Sequence, residues 1–422
     1  LFGQGYIKLH KVFKGGATAA ALQQNINPNK LKGEGDGRIN ILMMGMGGAG
    51  HEAPDLTDTM MIASVDPVNK TASLLSIPRD MWVKIPNNGS MKINAAYEAG
   101  KYKYLGKIDN NNTNRNAVQA GFTMADQTVE DITGITIHYN VLIDFQAFRR
   151  AIDTVGGVNV NVPEQLYDPT MAWENNWNPL LAKAGPQAFD GKHSLIYVRS
   201  RETSSDFARS QRQRAVLLAL KEKVVTLGTL SNPLKISELM GAFGDNVHTD
   251  LSLSDTVSLY GIFKGIANNK VGSLGLADAP NSFVTTDNIN GQSVVRPKLG
   301  LSDYTDIRNY IRSALQDGYI KKENSNITLL NGTSIEGLAT KMSNTLKTYG
   351  YNIATIANAP TKMYDKTVIV DQTSGKDKYT RHYLEQRFGV KATTNVPDSA
   401  IIPGQADFII ILGNDEATSS QN

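Results

Sequence analysis

Residues 194–214 read SLIYVRSRETSSDFARSQRQR. The stretch predicts a strand, a loop and a helix, and its five arginines decide how the rest of the chain is read. On a strand, Tyr197, Arg199 and Arg201 alternate and share one face. On the helix that follows, Arg209 and Gln213 lie four apart with Arg212 beside them, so they share a face. Val216, Leu217, Leu220 and Val224 continue that face as an apolar stripe. An apolar continuation turns the arginines toward the interior or a cleft rim, where unpaired charge is costly. The competing reading, a solvated basic face with scattered ion pairs, does not account for the stripe. Guanidinium forks suit phosphate oxygens, so the stretch predicts an anion site. A sixth arginine, Arg79, stands apart in SIPRD (76–80).

Outward from this stretch, RINILMMG (38–45), MMIASVDP (60–67) and TASLLSIP (71–78) read as buried strands, the last two joined by the turn DPVNK. NAVQAGFTMADQTVEDITG (116–134) and FQAFRRAIDTVGG (145–157) are helical in period and end on glycine. IHYNVLIDF (137–145) and VNVNVP (158–163) read as strands, and a long polar insertion runs from Glu164 to Gln187. Residues 231–322 mix short helices with loops; TDIRNYIRSALQD (305–317) is the last clear helix among them. From Asn326 a β–α–β–β–α–β order forms a second compact unit. The expected organisation is a Gly/Asn/Lys-rich connector over 1–37, a main domain over 38–322, a small α/β domain over 324–415 and a polar tail over 416–422.

Composition excludes several function classes. The 422 residues carry a net charge of only +3, so the arginines are a local concentration and not a nucleic-acid surface. There is no cysteine, which rules out disulfides, thiolate catalysis and zinc–thiolate sites. No apolar run reaches the ~20 residues that span a bilayer. The first residue is Leu1, not Met, and the expectation is that a signal or anchor segment has been trimmed away.

Other motifs carry competing readings. Gly45-Met46-Gly47-Gly48-Ala49-Gly50 matches a dinucleotide fingerprint with Asp66 downstream, but HEAPDLTDT (51–59) is too short for a crossover helix and holds Pro54. The reading as a nucleotide-dependent oxidoreductase therefore requires a helix directly after Gly50. Asp58 at a strand entry suits a hard dication that bridges phosphates, or a turn cap; Glu52 and Asp55 lie close enough to join it. Arg79-Asp80 sits at a strand end, where ligand loops emerge. Lys92 and Asn94, two apart in MKINAAY (91–97), can face one site. The six histidines show no metal-ligand spacing, and His51 is the one whose structural role is least evident.

At these residues the chain resembles the LytR-CpsA-Psr family of cell-wall enzymes. The resemblance runs in order through NILMMG (40–45), LTDTMMIASVDPVNKTASLLSIPRDMWVKIP (56–86), KINAAYEAG (92–100), TVEDITGITIHYNVLIDFQAF (128–148), DTVGGVNVNVP (153–163), LIYVRSR (195–201) and DFARSQRQ (206–213). It covers 38–225, more weakly to about 320. LLNGTSIEGLA (329–339) and IIILGND (409–415) resemble the LytR C-terminal domain. The resemblance implies an α/β fold whose mixed, largely antiparallel sheet is flanked by helices, with an apolar groove for a lipid tail. It implies a phosphotransferase that moves a glycopolymer from polyprenyl pyrophosphate to peptidoglycan through a phosphodiester. The location implied is the extracytoplasmic face of the cell membrane, held by one N-terminal anchor.

Position by position, the resemblance assigns Arg79, Arg199, Arg201, Arg209 and Gln213 to the pyrophosphate and Asp58 to Mg²⁺ (or Mn²⁺). Asp80, Lys92, Asn94 and Arg212 are the further substrate-binding candidates. Asp58, Asp80 and Asp206 are candidates for the general base. Where the family usually has an Asp after the first strand, this chain reads Gly45-Met46-Gly47-Gly48. Glu52 or Asp55 is the expected substitute. The alternative is a non-catalytic binder of polyprenyl phosphates or wall glycans.

Overall fold

The computed structural model describes residues 19–23, 26–108, 112–200, 206–228, 246–277, 282–361, 363–401 and 404–416. These divide into two compact units; residues 39–65 and 70–308 belong to the first, 19–38, 66–69 and 309–416 to the second.

The first unit is built on β1 (Ile39–Met46), β2 (Thr57–Asp66) and β3 (Thr71–Ile77), each a run of apolar residues with most side chains buried. β1 and β2 pair antiparallel, Ile39 opposite Val65, and the 67–70 turn brings β3 alongside β2. β4 (Trp82–Ile85) and β5 (Gly89–Lys92) form a hairpin. Helices α1 (Ala96–Leu105) and α2 (Arg115–Thr133) follow. Asn114 caps α2 by accepting from the N–H groups of Asn116 and Ala117, and Gly134 ends it at φ 70°. β6 (Tyr139–Asp144) runs parallel to β1. Asp144 then caps α3 (Phe145–Thr154) by accepting from the Ala147 N–H at 2.7 Å. β7 (Val158–Val162) pairs with β10 (Gly185–Phe189), and between them lies the short hairpin β8 (Leu166–Tyr167) and β9 (Leu180–Ala182). α4 (Gly191–Arg199) and α5 (Asp206–Leu227) follow, then β11 (Val247–Thr249), α6 (Leu253–Lys264), β12 (Val271–Gly275) and the hairpin β13 (Val284–Ile289) with β14 (Gln292–Pro297). The main sheet has the order β11-β6-β1-β2-β3-β12, with antiparallel and parallel pairs mixed. This is the mixed α/β architecture expected.

One sequence expectation fails here, and one alternative reading is ruled out. The 194–201 stretch is not a strand: residues 191–199 form α4, whose Asp190 cap accepts from the His193 N–H at 2.8 Å. Ser194 through Val198 are all buried, and Leu195 to Val198 pack with Val216 and Ala219 of α5 and with Val158, Val160 and Phe189. A short run buried on every side shows no helical period, so apolar and β-branched content alone misreads it. Tyr197 and Arg199 therefore do not share a face; Tyr197 is in the core. The dinucleotide reading also fails, because the segment after Gly50 joins antiparallel β1 and β2 without a helix.

In the second unit, α7 (Thr305–Ala314), whose residues from Asn309 belong here, leads to α8 (Gly318–Glu323), β15 (Asn326–Asn331), α9 (Leu338–Thr348), β16 (Asn352–Asn358), β17 (Val368–Asp371), α10 (Lys378–Phe388) and β18 (Phe408–Leu412). The sheet order is β16-β15-β18-β17, with β17 antiparallel to β18. Part of the expected 1–37 connector is corrected: residues 19–38 belong to this unit. Ile26 and Leu31 are buried in its core. Arg387 of α10 grips Glu34 with two bonds of 2.6 and 2.7 Å, and Asp317 accepts from the N–H groups of Gly35 and Gly37. Composition marks such a segment as flexible because its polar residues outnumber its anchors, yet a few buried side chains and a bidentate ion pair suffice to fix it. Residues 1–18 lie outside the described set.

Candidate functional site

β1 and β6 are parallel and end together; β2 begins beside them, and the chain leaving β3 emerges on the same side. Strand ends of α/β sheets are where loops gather around ligands. Here the loop 47–56, the start of α3, the end of α4, the first turns of α5 and the insertion hairpin surround a cavity of about 410 Å³. Its polar lining includes Arg79, Arg199, Arg209, Gln213, Asp58, Glu52 and His51.

Each side chain is held by an identifiable device. Arg79 follows Pro78 at the end of β3. Its Nη1 lies 2.5 Å from Asp58 Oδ1, and its Nε is buried, without a hydrogen-bond acceptor, 3.4 Å from Asp80. Arg199, the last residue of α4, lies over the Phe145 ring at 4.5 Å and bonds Glu174 Oε1 at 2.7 Å. Arg209 and Gln213 sit one helical turn apart on α5, and Gln213 Nε2 donates to Thr59 Oγ1 of β2 at 3.2 Å. The lining arginines and Gln213 thus come from three separate segments and meet at one cavity.

A second cavity of about 220 Å³ adjoins the first through the shared residues Thr59, Phe145, Val198, Arg199 and Gln213. Apart from Asp144, its other walls carry no charge and are mainly apolar: Met43, Met44 and Met61 from the sheet, Phe148 from α3 and Leu217 from α5. The apolar stripe on α5 therefore continues from a charged chamber into a greasy one, as the sequence pattern suggested for Leu217.

The remaining candidates have other duties. Arg212 is buried: its Nε donates to the Tyr197 carbonyl at 2.9 Å and its Nη2 to the Ser200 carbonyl at 2.5 Å, tying α4 to α5. Burial lowers its pKa, and it does not line the cavity. Asp55 is corrected as a metal candidate. It is fully buried, 2.7 Å from Lys101 Nζ, and accepts from Tyr102 Oη at 3.0 Å and Asn112 Nδ2 at 3.2 Å. Lys92 bonds Asp80 at 2.7 Å, and neither lines the cavity. Asn94 is also outside the lining but places others: its N–H donates to the Arg79 carbonyl at 3.3 Å, and its carbonyl accepts from Thr57 Oγ1 at 3.1 Å. Arg201 and the Asp206 side chain lie outside the described residues.

Sequence reasoning missed four features of the chamber. Thr170 and Met171 line it from the insertion hairpin, Glu174 holds Arg199, and Phe145 provides the ring beneath that arginine. No periodic signal marks any of them. Of the glycine run, Gly47 lines the chamber, while Gly48, at φ 79°, passes Asp144 so closely that a Cβ would lie 2.7 Å from the Asp144 Cβ. That close pass sends the loop back so that His51 and Glu52 reach the chamber; His51 stacks edge-on to Phe145 at 5.0 Å.

Residues 6–301 match the LytR_cpsA_psr family. The chain belongs to the LytR-CpsA-Psr family. Residues 324–415 match the LytR cell envelope-related transcriptional attenuator model. Within the family, the chain is 31% identical over 245 residues to the polyisoprenyl-teichoic acid–peptidoglycan teichoic acid transferase TagU of Oceanobacillus iheyensis, which spans 57% of this chain and 67% of that one. It is 27% identical over 382 residues to the cell wall biosynthesis protein LcpA of Corynebacterium glutamicum, spanning 84% and 70% respectively. The crystal structure of Bacillus subtilis TagT shares the fold, with a TM-score of 0.50, 23% identity, and coverage of 72% of this chain and 99% of that one.

For a magnesium ion, the donor set is sparse. Among the described residues no group of three ligating side chains exists, and Asp58 already faces Arg79. Mg²⁺ needs only one or two carboxylates when substrate phosphates and waters complete its shell. Asp58, with Glu52 across the same chamber, fits that limited requirement; a cage made of protein alone does not.

Proposed function

We propose that this chain is a cell-wall glycopolymer transferase, moving a glycopolymer from a polyprenyl pyrophosphate to peptidoglycan. The observation that carries the reading is the junction of the two cavities: cationic side chains from β3, α4 and α5 meet where an apolar chamber begins. A lipid pyrophosphate has that same order of parts, an apolar tail followed by dense negative charge. Membership of a family whose relatives are named transferases of polyisoprenyl-linked teichoic acid supports the same substrate class.

In the reaction, an acceptor hydroxyl oxygen attacks the glycopolymer-side phosphorus. The bond from that phosphorus to the bridging oxygen breaks, polyprenyl phosphate leaves, and the hydroxyl proton passes to a base. Arg79, Arg199 and Arg209 bind the non-bridging oxygens and hold them while charge shifts toward the leaving group. Fixed guanidinium groups cost no reorganisation at that moment. Gln213, steadied by Thr59, orients one oxygen. Asp58, with Glu52, would hold a magnesium ion, which when bound supplies further neutralisation of the phosphates. Because the acceptor is wall polymer, the proposal includes an extracytoplasmic location and a membrane anchor.

The test is incubation with a lipid-linked pyrophosphate donor, peptidoglycan and Mg²⁺. Release of polyprenyl phosphate with covalent attachment of the polymer is expected. Tight binding with no release would replace the transferase reading with that of a binder of polyprenyl phosphates or wall glycans.

A further inference from the structure

The insertion between β7 and β10 has a part that neither phosphate nor lipid binding uses. It carries Tyr167, Trp173 and Trp177, exposed by 48%, 61% and 81%. Three large aromatics exposed to water within one short segment are more than the scattered single apolar residues of an ordinary surface. Their exposure is not slack. Asn175 Nδ2 donates to the carbonyls of Asn178 and Leu180 at 3.0 and 3.1 Å, and the Trp177 N–H donates to the Ala172 carbonyl at 2.8 Å. Asp168 anchors the base by accepting from Thr170 Oγ1 and from Ser200 Oγ, each at 2.6 Å. Asn176 and Trp177 both sit at positive φ, 52° and 62°. A bulky residue adopts that region only when its surroundings impose it. The fold holds this indole out into solvent.

The position is as informative as the exposure. Thr170 and Met171, from the same segment, line the anion chamber, and Glu174, between the two tryptophans, reaches inward to Arg199. The segment that carries the aromatics thus also contributes to the chamber wall. We propose that Trp173 and Trp177 form a docking platform for the acceptor, an N-acetylhexosamine glycan strand of peptidoglycan. Flat, rigid aromatic faces match the C–H faces of pyranose rings at low entropic cost. The exposed amides of Asn176 and Asn178 beside them can exchange hydrogen bonds with hydroxyl and N-acetyl groups. Residues 164–180 include no lysine or arginine; of their acids Glu164 is exposed, Asp168 is buried and Glu174 is paired with Arg199. A segment with an exposed carboxylate and no cation disfavours a polyanionic glycopolymer or an anionic bilayer and tolerates an amide-rich glycan. The assignment as acceptor rests on the transferase reading of the chamber; the affinity for glycan does not.

The test uses the whole chain with Trp173→Ala/Trp177→Ala and, as the conservative control, Trp173→Tyr/Trp177→Tyr. Co-sedimentation with peptidoglycan sacculi stripped of secondary polymer should weaken about tenfold in the alanine variant and far less in the tyrosine variant. The KM for acceptor should rise by a similar factor, with kcat, polyprenyl phosphate affinity and thermal unfolding unchanged. Loss of sacculus binding in a protein that transfers nothing would still support the platform while removing the transferase reading. Sacculus binding equal to wild type in the alanine variant overturns the proposal. So does tryptophan-dependent binding to free glycopolymer or to anionic vesicles in place of sacculi.

Discussion

Replacing Arg199 with alanine tests the chamber most directly, because two effects of opposite origin can be separated there. The first is loss of a guanidinium that binds phosphate, which costs about 2–4 kcal/mol of transition-state stabilisation. The second is exposure of Glu174, whose carboxylate is 15% exposed and paired with Arg199 at 2.7 Å. Left alone near a pyrophosphate, at an effective dielectric of about 20, it opposes binding by about 1–2 kcal/mol. Together these predict a fall in kcat/KM of about 10²–10⁴-fold. Stability should change little, by about 1 kcal/mol or less, since the Arg199 side chain is 28% exposed and its pair partly screened. Adding Glu174→Gln to the Arg199→Ala variant should recover about five- to thirtyfold by removing only the second effect. The assay is release of polyprenyl phosphate from a lipid-linked donor, with thermal unfolding run in parallel. Activity within a few-fold of wild type in Arg199→Ala refutes the arginine's role. No recovery in the double variant refutes the account of Glu174.

Two further outcomes follow from groups away from the chamber. Lys101→Met leaves Asp55 buried without its cation and should destabilise the fold by about 3–5 kcal/mol, read by denaturant unfolding; a loss under 1 kcal/mol would contradict the ion pair. Desolvation pushes Asp126 up to about 7, from 3.8, beside Asp250. A raised carboxyl pKa means that the folded state binds the proton more tightly, so this contribution is full below about 3.8 and is lost as pH rises through about 7. Asp126→Asn should therefore flatten the decline in melting temperature between about pH 3.8 and 7, whereas an unchanged slope would show that the carboxyl stays ionised.

The arginine-rich stretch shows where local pattern ends. Arg209, Gln213 and Leu217 were correctly placed along one helical face, because i, i+4 spacing follows from the helix itself. The opposite misreading, of α4 as a strand, arose in the adjacent residues. Ser194–Val198 are buried throughout, and continuous burial erases the periodicity by which helices and strands are told apart. Arg212 looked like a neighbour of the anion site, yet it turns away to bond two carbonyls. Asp55 looked like a metal ligand, yet Lys101 claims it from helix α1. Both outcomes depend on partners distant in sequence.

By itself, the sequence determined the absence of cysteine chemistry, the strands β1 to β3, the capped helices α2 and α3, the β–α–β–β–α–β order of the second unit and the family of the chain. The elements and the absent chemistry follow from spacing, end signals and composition, all of them local; the family follows from the ordered motifs that the chain shares with it. Tertiary structure decided how Arg79 reaches the chamber of Arg199 and Arg209, which the resemblance assigned to one site without a geometry, that Leu217 shares an apolar chamber with Met43, and that Thr170 and Met171 line the charged one. Side-chain convergence is set by strand order and by which faces are buried, and neither is encoded in the separation of residues along the chain.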